Sequence, residues 1–275
     1  MSSYRAKPPK GARLSYGHRL GEGLVSAWLF DEGGGPKIYD SANRNNGTLT
    51  NFTATSGWSS GPFGDCLTFD GVDDYIDVPN HSTLGITAQI TMSAWVRRLG
   101  ASAGQYKTII SRWGNSNSYV FLYDDTGNQL QVRLSGLSTV TVSRSVSIED
   151  SLWHHATVTY DGANITLYLD GLQLGAQTAS TGSIINNNLS LRIGRDNTGF
   201  GTAYWNGQLD AIAIYNRALS ASEVRQLYSD PFAAFRRRQT PVPVKGPLLV
   251  GGYYRVAAAS THTPGAQAGQ TKGEL

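Results

Sequence analysis

From Gly23 to Asn216 the chain runs as short stretches of β-branched and aromatic residues separated by clusters of Gly, Asn, Asp and Ser. Such punctuated runs predict strands joined by turns. In Ile90-Thr91-Met92-Ser93-Ala94-Trp95-Val96, the residues Ile90, Met92, Ala94 and Val96 fall on one face, as a half-buried strand requires. His155 to Tyr160 and Asn164 to Leu169 flank Asp161-Gly162-Ala163 and predict a hairpin, with a further turn at Asp170-Gly171. Roughly a dozen strands without crossover helices predict an all-β fold, a two-sheet antiparallel jelly-roll sandwich. One short C-terminal helix is predicted: Ser220-Ala221-Ser222-Glu223 forms a capping box, Val224, Leu227 and Tyr228 follow at helical spacing, and Pro231 ends it.

With 275 residues, 40% of them hydrophobic, the chain can bury a sizeable core without covalent staples. A single cysteine, Cys66, excludes an intramolecular disulfide framework and a cysteine-based zinc site. The longest apolar stretches, such as Leu24 to Phe30, are far short of the ~20 residues that cross a bilayer, so no membrane span is expected. Residues 1–20 lack the apolar core of a signal peptide, which implies a protein made in the cytoplasm.

The net charge of +3 divides unevenly. Residues 1–20 carry five basic and no acidic side chains, and residues 236–275 six basic and one acidic, whereas residues 21–235 carry 12 basic against 19 acidic. The expected organisation is therefore a basic N-terminal arm (1–20), an acidic jelly-roll body (21–235) and a basic, Pro- and Gly-rich C-terminal arm (236–275). Neither arm can build a core of its own. Arg5, Lys7, Arg13, Arg236, Arg237 and Arg238 are the expected partner-binding groups, forming charge-assisted contacts with acidic neighbouring subunits or with a second copy of the body. An acidic body without a nucleic-acid module argues against nucleic acid as the partner.

Several ordered segments resemble the concanavalin A-like lectin/glucanase superfamily, in its laminin-G-like jelly-roll branch. Gly23-Leu24-Val25-Ser26-Ala27-Trp28-Leu29-Phe30-Asp31-Glu32-Gly33 looks like the family's first strand, and Leu67-Thr68-Phe69-Asp70-Gly71-Val72-Asp73-Asp74-Tyr75-Ile76 like its most recognisable motif. Trp153-His154-His155-Ala156-Thr157-Val158-Thr159-Tyr160-Asp161-Gly162 resembles a central strand, and Gly207 to Ser220 the last strand with its turn into the closing helix. The resemblance implies the fold. It does not choose among lectins, glycosidases and structural proteins. An arm, a jelly roll and an Asp230-Pro231-Phe232 exit into a basic tail are similar to stand-alone virion proteins of tailed bacteriophages. That second resemblance implies a non-enzymatic decoration protein of a virion surface, assembled with capsid or tail subunits. The alternatives are a carbohydrate-binding lectin module and, third, a glycoside hydrolase.

Hydrolysis on this fold needs two carboxylates facing one cleft. The five glutamates, Glu22, Glu32, Glu149, Glu223 and Glu274, do not form the acidic strand pattern of the retaining glucanases, and no catalytic residue is expected. Asp74 and Asp77 are offset by three and face opposite sides of a strand. Adjacent His154 and His155 likewise cannot form one bidentate ligand, and a structural role is expected for them. Glycan-binding candidates are the aromatic residues in or near Asn- and Gly-rich loops: Trp58, Trp113, Tyr119, Phe200, Tyr204 and Trp205. The family resemblance further implies a structural calcium, with Asp31, Asp70 and Asp210 as ligands.

Overall fold

The computed structural model describes residues 6–9, 12–15, 17–42, 44–53, 56–100, 104–114, 116–197 and 203–236. Two antiparallel sheets form a sandwich. The first has eight strands in the order Thr141–Ser145, Gln129–Leu134, Tyr119–Asp124, Tyr106–Ser111, Leu191–Ile193, Tyr75–Val78, Gly47–Thr50 and Lys37–Ile38. The second runs Leu172–Gln173, Asn164–Leu169, His154–Tyr160, Ile90–Arg98, Asn206–Tyr215, Gly64–Asp70 and Gly57–Gly61. Leu24–Trp28 joins the far half of Asn206–Tyr215, and Thr178–Ala179 joins Asn164–Leu169.

Alternation decides which residues fill the space between the sheets. Tyr119, Phe121 and Tyr123 point inward from one strand and Leu130, Val132 and Leu134 from its neighbour, meeting Ile90, Met92, Ala94 and Val96 in one continuous core. The predicted hairpin is present: Asp161 Oδ1 accepts the amides of Ala163 and Asn164 at 2.8 and 2.6 Å, closing a turn in which Gly162 has φ +97°. The predicted helix spans Ala221–Ser229, and Glu223 Oε2 accepts the Ser220 amide at 2.9 Å as the capping box requires.

The Ile90–Arg98 strand is buried on both faces rather than one. Behind it Trp95 belongs to a second apolar layer, built with Ala211, Ala213 and Tyr215 against Val224, Leu227 and Phe232. The helix supplies Val224 and Leu227 to this cover, and Phe63, Phe232 and Phe235 add to it. The N-terminal arm contributes too: its Leu20 is buried in the layer, and its Ala12 and Leu14 pack on it. Arg13–Leu14 pairs antiparallel with Phe235–Arg236, so both ends of the described chain are tied to this face. The described residues between 6 and 20, expected in an arm that reaches outward, instead pack on and pair with the chain's own body, and Arg236, the first residue of the expected C-terminal arm, pairs through its backbone.

Lys7 and Arg112 are among the cations whose side chains are buried and tie distant segments together. Lys7 carries its ammonium into the body, where it lies 2.7 Å from the carboxylate of fully buried Asp210 and donates to Phe30 O at 3.0 Å and to Asp65 O. Arg112, also fully buried, donates Nε to Leu189 O, Nη1 to Leu84 O and Asn186 Oδ1, and Nη2 to Asn80 Oδ1 and Asn187 O.

Candidate functional site

The helix and arm cover the second sheet, which leaves the outer face of the eight-stranded sheet as the place to look for a site. Ile76 and Val78 point into the core, so Tyr75 and Asp77 point out. The same alternation turns Arg192 outward between Leu191 and Ile193, and Arg133 outward between Val132 and Leu134. Strand pairing then brings together residues far apart in sequence. Arg133 lies opposite Val120, Val120 opposite Ser111, Ser111 opposite Arg192, and Arg192 opposite Asp77.

Tyrosine rings order the arginines of this face. The guanidinium carbons of Arg192 and Arg195 lie 4.8 and 5.2 Å from the centre of the Tyr75 ring, and that of Arg195 lies 4.9 Å from the Tyr204 ring. On the neighbouring strands Arg133 stacks on Tyr106 at 4.3 Å while its Nε donates to Gln131 Oε1 at 2.8 Å. Arg192 Nη1 is fixed further by Asp196 O at 3.1 Å. These are two rigid ladders of planar cations and aromatic rings, each half-exposed or more deeply set.

Below Tyr75 the chain makes the tight turn Asp70–Asp74. Asp70 Oδ1 accepts the amides of Val72 and Asp73 at 2.8 and 3.3 Å, and Asp74 Oδ2 accepts that of Asp70 at 2.9 Å. One carboxylate oxygen from each of Asp70, Asp73 and Asp74 lies within 4.8 Å of the others. Burial raises the Asp74 carboxyl above the usual carboxylate range, against the lowering effect of the Asp70 amide and the Ser56 hydroxyl.

The aromatic candidates separate clearly. Tyr119 and Trp205 are fully buried core residues, and Tyr119 donates its hydroxyl to Leu84 O at 3.1 Å. Neither can face a sugar, because alternation turns Tyr119 inward with Phe121 and Tyr123. Trp58 is half-buried, packed on the core, with Nε1 bonded to Gly35 O at 2.9 Å. Trp113 is half-buried at the end of the Tyr106–Ser111 strand. Tyr204 joins the arginine ladder, and Phe200 lies outside the described residues. Sequence reasoning missed Tyr75, Tyr106, Arg133, Arg192 and Arg195. The available signal was a large polar residue flanked by two core residues, as in Val132-Arg133-Leu134 and Leu191-Arg192-Ile193.

The expected metal ligands do not come together. Asp31 is half-buried and stands outside the acidic cluster, Asp70 groups with Asp73 and Asp74, and the Asp210 carboxylate is already neutralised by the ammonium of Lys7. A cation is thus built into the chain where a calcium at Asp210 would have to sit. The Lys7 ammonium is in turn committed within the chain, its side chain buried against Asp210. Of the other partner-binding candidates, Arg13 and Arg236 are paired through their backbones, while Arg5, Arg237 and Arg238 lie outside the described residues. His154 bonds Asp170 and Asp150 through its two ring nitrogens at 2.8 and 3.1 Å, whereas buried His155 bonds Ser93 Oγ at 2.7 Å. Hydrogen bonding to Asp170 raises the His154 pKa, and burial lowers that of His155 to about 4, so the two neighbours are opposite in charge preference.

A family profile described as the concanavalin A-like lectin/glucanases superfamily matches residues 70–225, more than half of the chain. The chain belongs to this superfamily. Its fold is similar to that of the binding domain of Paraclostridial mosquitocidal protein 1, with a TM-score of 0.62 and 20% identity over 76% of this chain and 52% of that one. It is also similar to domain 4 of AbnA, an extracellular arabinanase from Geobacillus stearothermophilus solved in complex with arabinotriose, with a TM-score of 0.58 and 19% identity over 74% of this chain and 98% of that domain. A third similar structure is the Trypanosoma rangeli sialidase in complex with sialic acid, with a TM-score of 0.54 and 18% identity over 75% of this chain and 32% of that one. The chain thus spans about half of the mosquitocidal binding domain and a third of the sialidase. At these identities the likeness is one of fold. A search of curated protein sequences finds no match.

Proposed function

We propose that this chain is a non-catalytic carbohydrate-binding protein that presents the outer face of its eight-stranded sheet to a glycan. The observation that carries the reading is the pair of tyrosine–arginine ladders, rigid planar groups whose hydrogen-bonding edges suit sugar hydroxyls. Superfamily membership and the similarity to an arabinotriose-bound domain support it. An assembly role on a virion has less support, because the described part of the N-terminal arm is spent on the chain's own body.

A glycan array probed with the full-length protein tests the reading. Retention of at least one glycan is expected, and Tyr75→Ala with Tyr106→Ala removes the rings that order both ladders. At about 0.5–1.5 kcal/mol for each aromatic contact, the double variant loses roughly tenfold or more in affinity. Retention of no glycan by the folded protein, or an unchanged double variant, overturns the proposal.

Calcium at Asp70, Asp73 and Asp74 is the companion proposal. Oxygens held at about 2.3–2.6 Å on opposite sides of one calcium ion lie roughly 5 Å apart, which fits the 4.8 Å spread of this cluster. Calcium at a hundredfold excess over its dissociation constant would add about 2.7 kcal/mol of stability. The expected result is a melting temperature that rises with calcium, falls with chelator, and responds to neither in Asp73→Asn. Indifference of the wild-type protein to calcium counts against the site.

A further inference from the structure

The face that carries the ladders sets Arg133, Arg192 and Lys37 in one cross-strand row with Asp77, and the Asp70–Asp74 turn lies at its margin below Tyr75. Arg133, Val120, Ser111 and Arg192 are successive cross-strand neighbours, so two arginines stand three strands apart, roughly 14 Å at about 4.8 Å per strand. Beyond Arg192 the row continues through Asp77 to Lys37. Elsewhere Arg98 lies 3.0 Å from Asp125 and Arg217 2.8 Å from Glu223, while Arg97, Arg112 and Arg144 spend their N–H groups on carbonyl, amide or hydroxyl oxygens of the chain. Among the described residues, two of the three arginines on this face have neither an acid nor a carbonyl cage. Arg192 meets Asp77 only at 3.5 Å, and Arg133 and Arg195 form no ion pair among the described residues. Their positive charge is held by tyrosine faces, which fix the plane of each guanidinium and leave its outer N–H groups uncommitted. A planar fork of this kind matches two oxygens of one anionic group.

We infer that the face selects acidic glycans, whose sugar carboxylates or sulfates dock on Arg133 and Arg195; this inference rests on the carbohydrate-binding reading above. The tyrosines set the orientation of the cations, and Val120 and Ser111, which separate the two arginine rows, are themselves buried. Carboxylate and sulfate share the chemistry recognised, and the polymer that binds tells them apart.

The test uses the full-length protein in affinity electrophoresis with two matched pairs: polygalacturonate against its methyl ester, and dextran sulfate against dextran. At least one anionic polymer is expected to retard the protein, its neutral counterpart is not, and the retardation weakens as salt is raised. Arg133→Gln with Arg195→Gln loses at least tenfold in affinity. The corresponding lysine double variant, which keeps charge but not the fork, loses less, and it serves as the readout if the glutamine variant does not fold. Arg236→Gln, Arg237→Gln and Arg238→Gln together, which strip charge from the C-terminal arm, leave the affinity unchanged. The inference is overturned if the arm variant abolishes binding and the face variant does not. It is overturned, with the carbohydrate-binding reading intact, if neutral polymers bind equally and depend on Tyr75 and Tyr106. If neither these polymers nor any array glycan binds, both readings fail.

Discussion

Lys7→Met destabilises the folded protein by about 3–5 kcal/mol at pH 8, the range for stripping one partner from a buried ion pair, and by much less at pH 5. The reason is the position of Asp210, fully buried beneath the N-terminal arm with the Lys7 ammonium 2.7 Å away. Burial pushes the Asp210 pKa up to about 7, opposed by Lys7 and by the Ala211 amide. An unfolded aspartate titrates near 3.9. The folded state therefore holds a proton more tightly than the unfolded state, and the contribution of Asp210 to stability is complete below about pH 4 and fades as pH rises through about 7. Without Lys7 the folded pKa moves higher still, so the loss continues above pH 7 and the gap between variant and wild type widens there. Urea denaturation at pH 5 and pH 8 measures the gap. Asp210→Asn in the Lys7→Met background should recover much of the pH 8 loss, since no carboxylate then remains to be neutralised. Equal destabilisation by Lys7→Met at both pH values would refute this account.

Arg112→Met prevents stable folding, and Arg112→Lys lowers stability by about 3 kcal/mol or more. The guanidinium uses Nε, Nη1 and Nη2 on five acceptors from Leu84, Leu189, Asn187, Asn80 and Asn186, and Asn187 Nδ2 returns a bond to Arg112 O at 2.8 Å. Lysine has three donors on one atom and leaves at least two of those acceptors unmet. Leu84 O and Asn187 O are the acceptors bonded in buried surroundings, and each costs about 1–3 kcal/mol if orphaned, whereas the Asn80 and Asn186 side chains are open to water. In a domain of this size 3 kcal/mol corresponds to a fall of roughly 6–12 °C in melting temperature. A lysine variant melting within a degree of wild type would show that water satisfies the vacated acceptors, and that the cage does not hold the Ser82–Leu84 turn and the 186–189 loop together.

Both sites show why the candidate residues were only partly legible. Tyr119 was drawn from a polar neighbourhood, but the run Tyr119-Val120-Phe121-Leu122-Tyr123 is apolar at every position, and its strand is buried on both faces. Only the pairing partners tell which half of it meets the core. Asp210 was selected as a metal ligand from its place in the last strand. Its true counter-ion is Lys7, 203 residues earlier, and no local pattern connects the two.

The sequence by itself determined the all-β class, the hairpin at Asp161-Gly162-Ala163, the capped helix after Ser220 and the superfamily, because alternation, turn formers and caps act over a few residues. It also determined that the arms are basic. Tertiary structure alone decided where that charge goes: the Lys7 ammonium into the body beside Asp210, and Tyr75, Arg133 and Arg192 onto one face. Strand order and register make those neighbours. They are set by which apolar faces can be buried together, a property of the whole sandwich that no single segment carries.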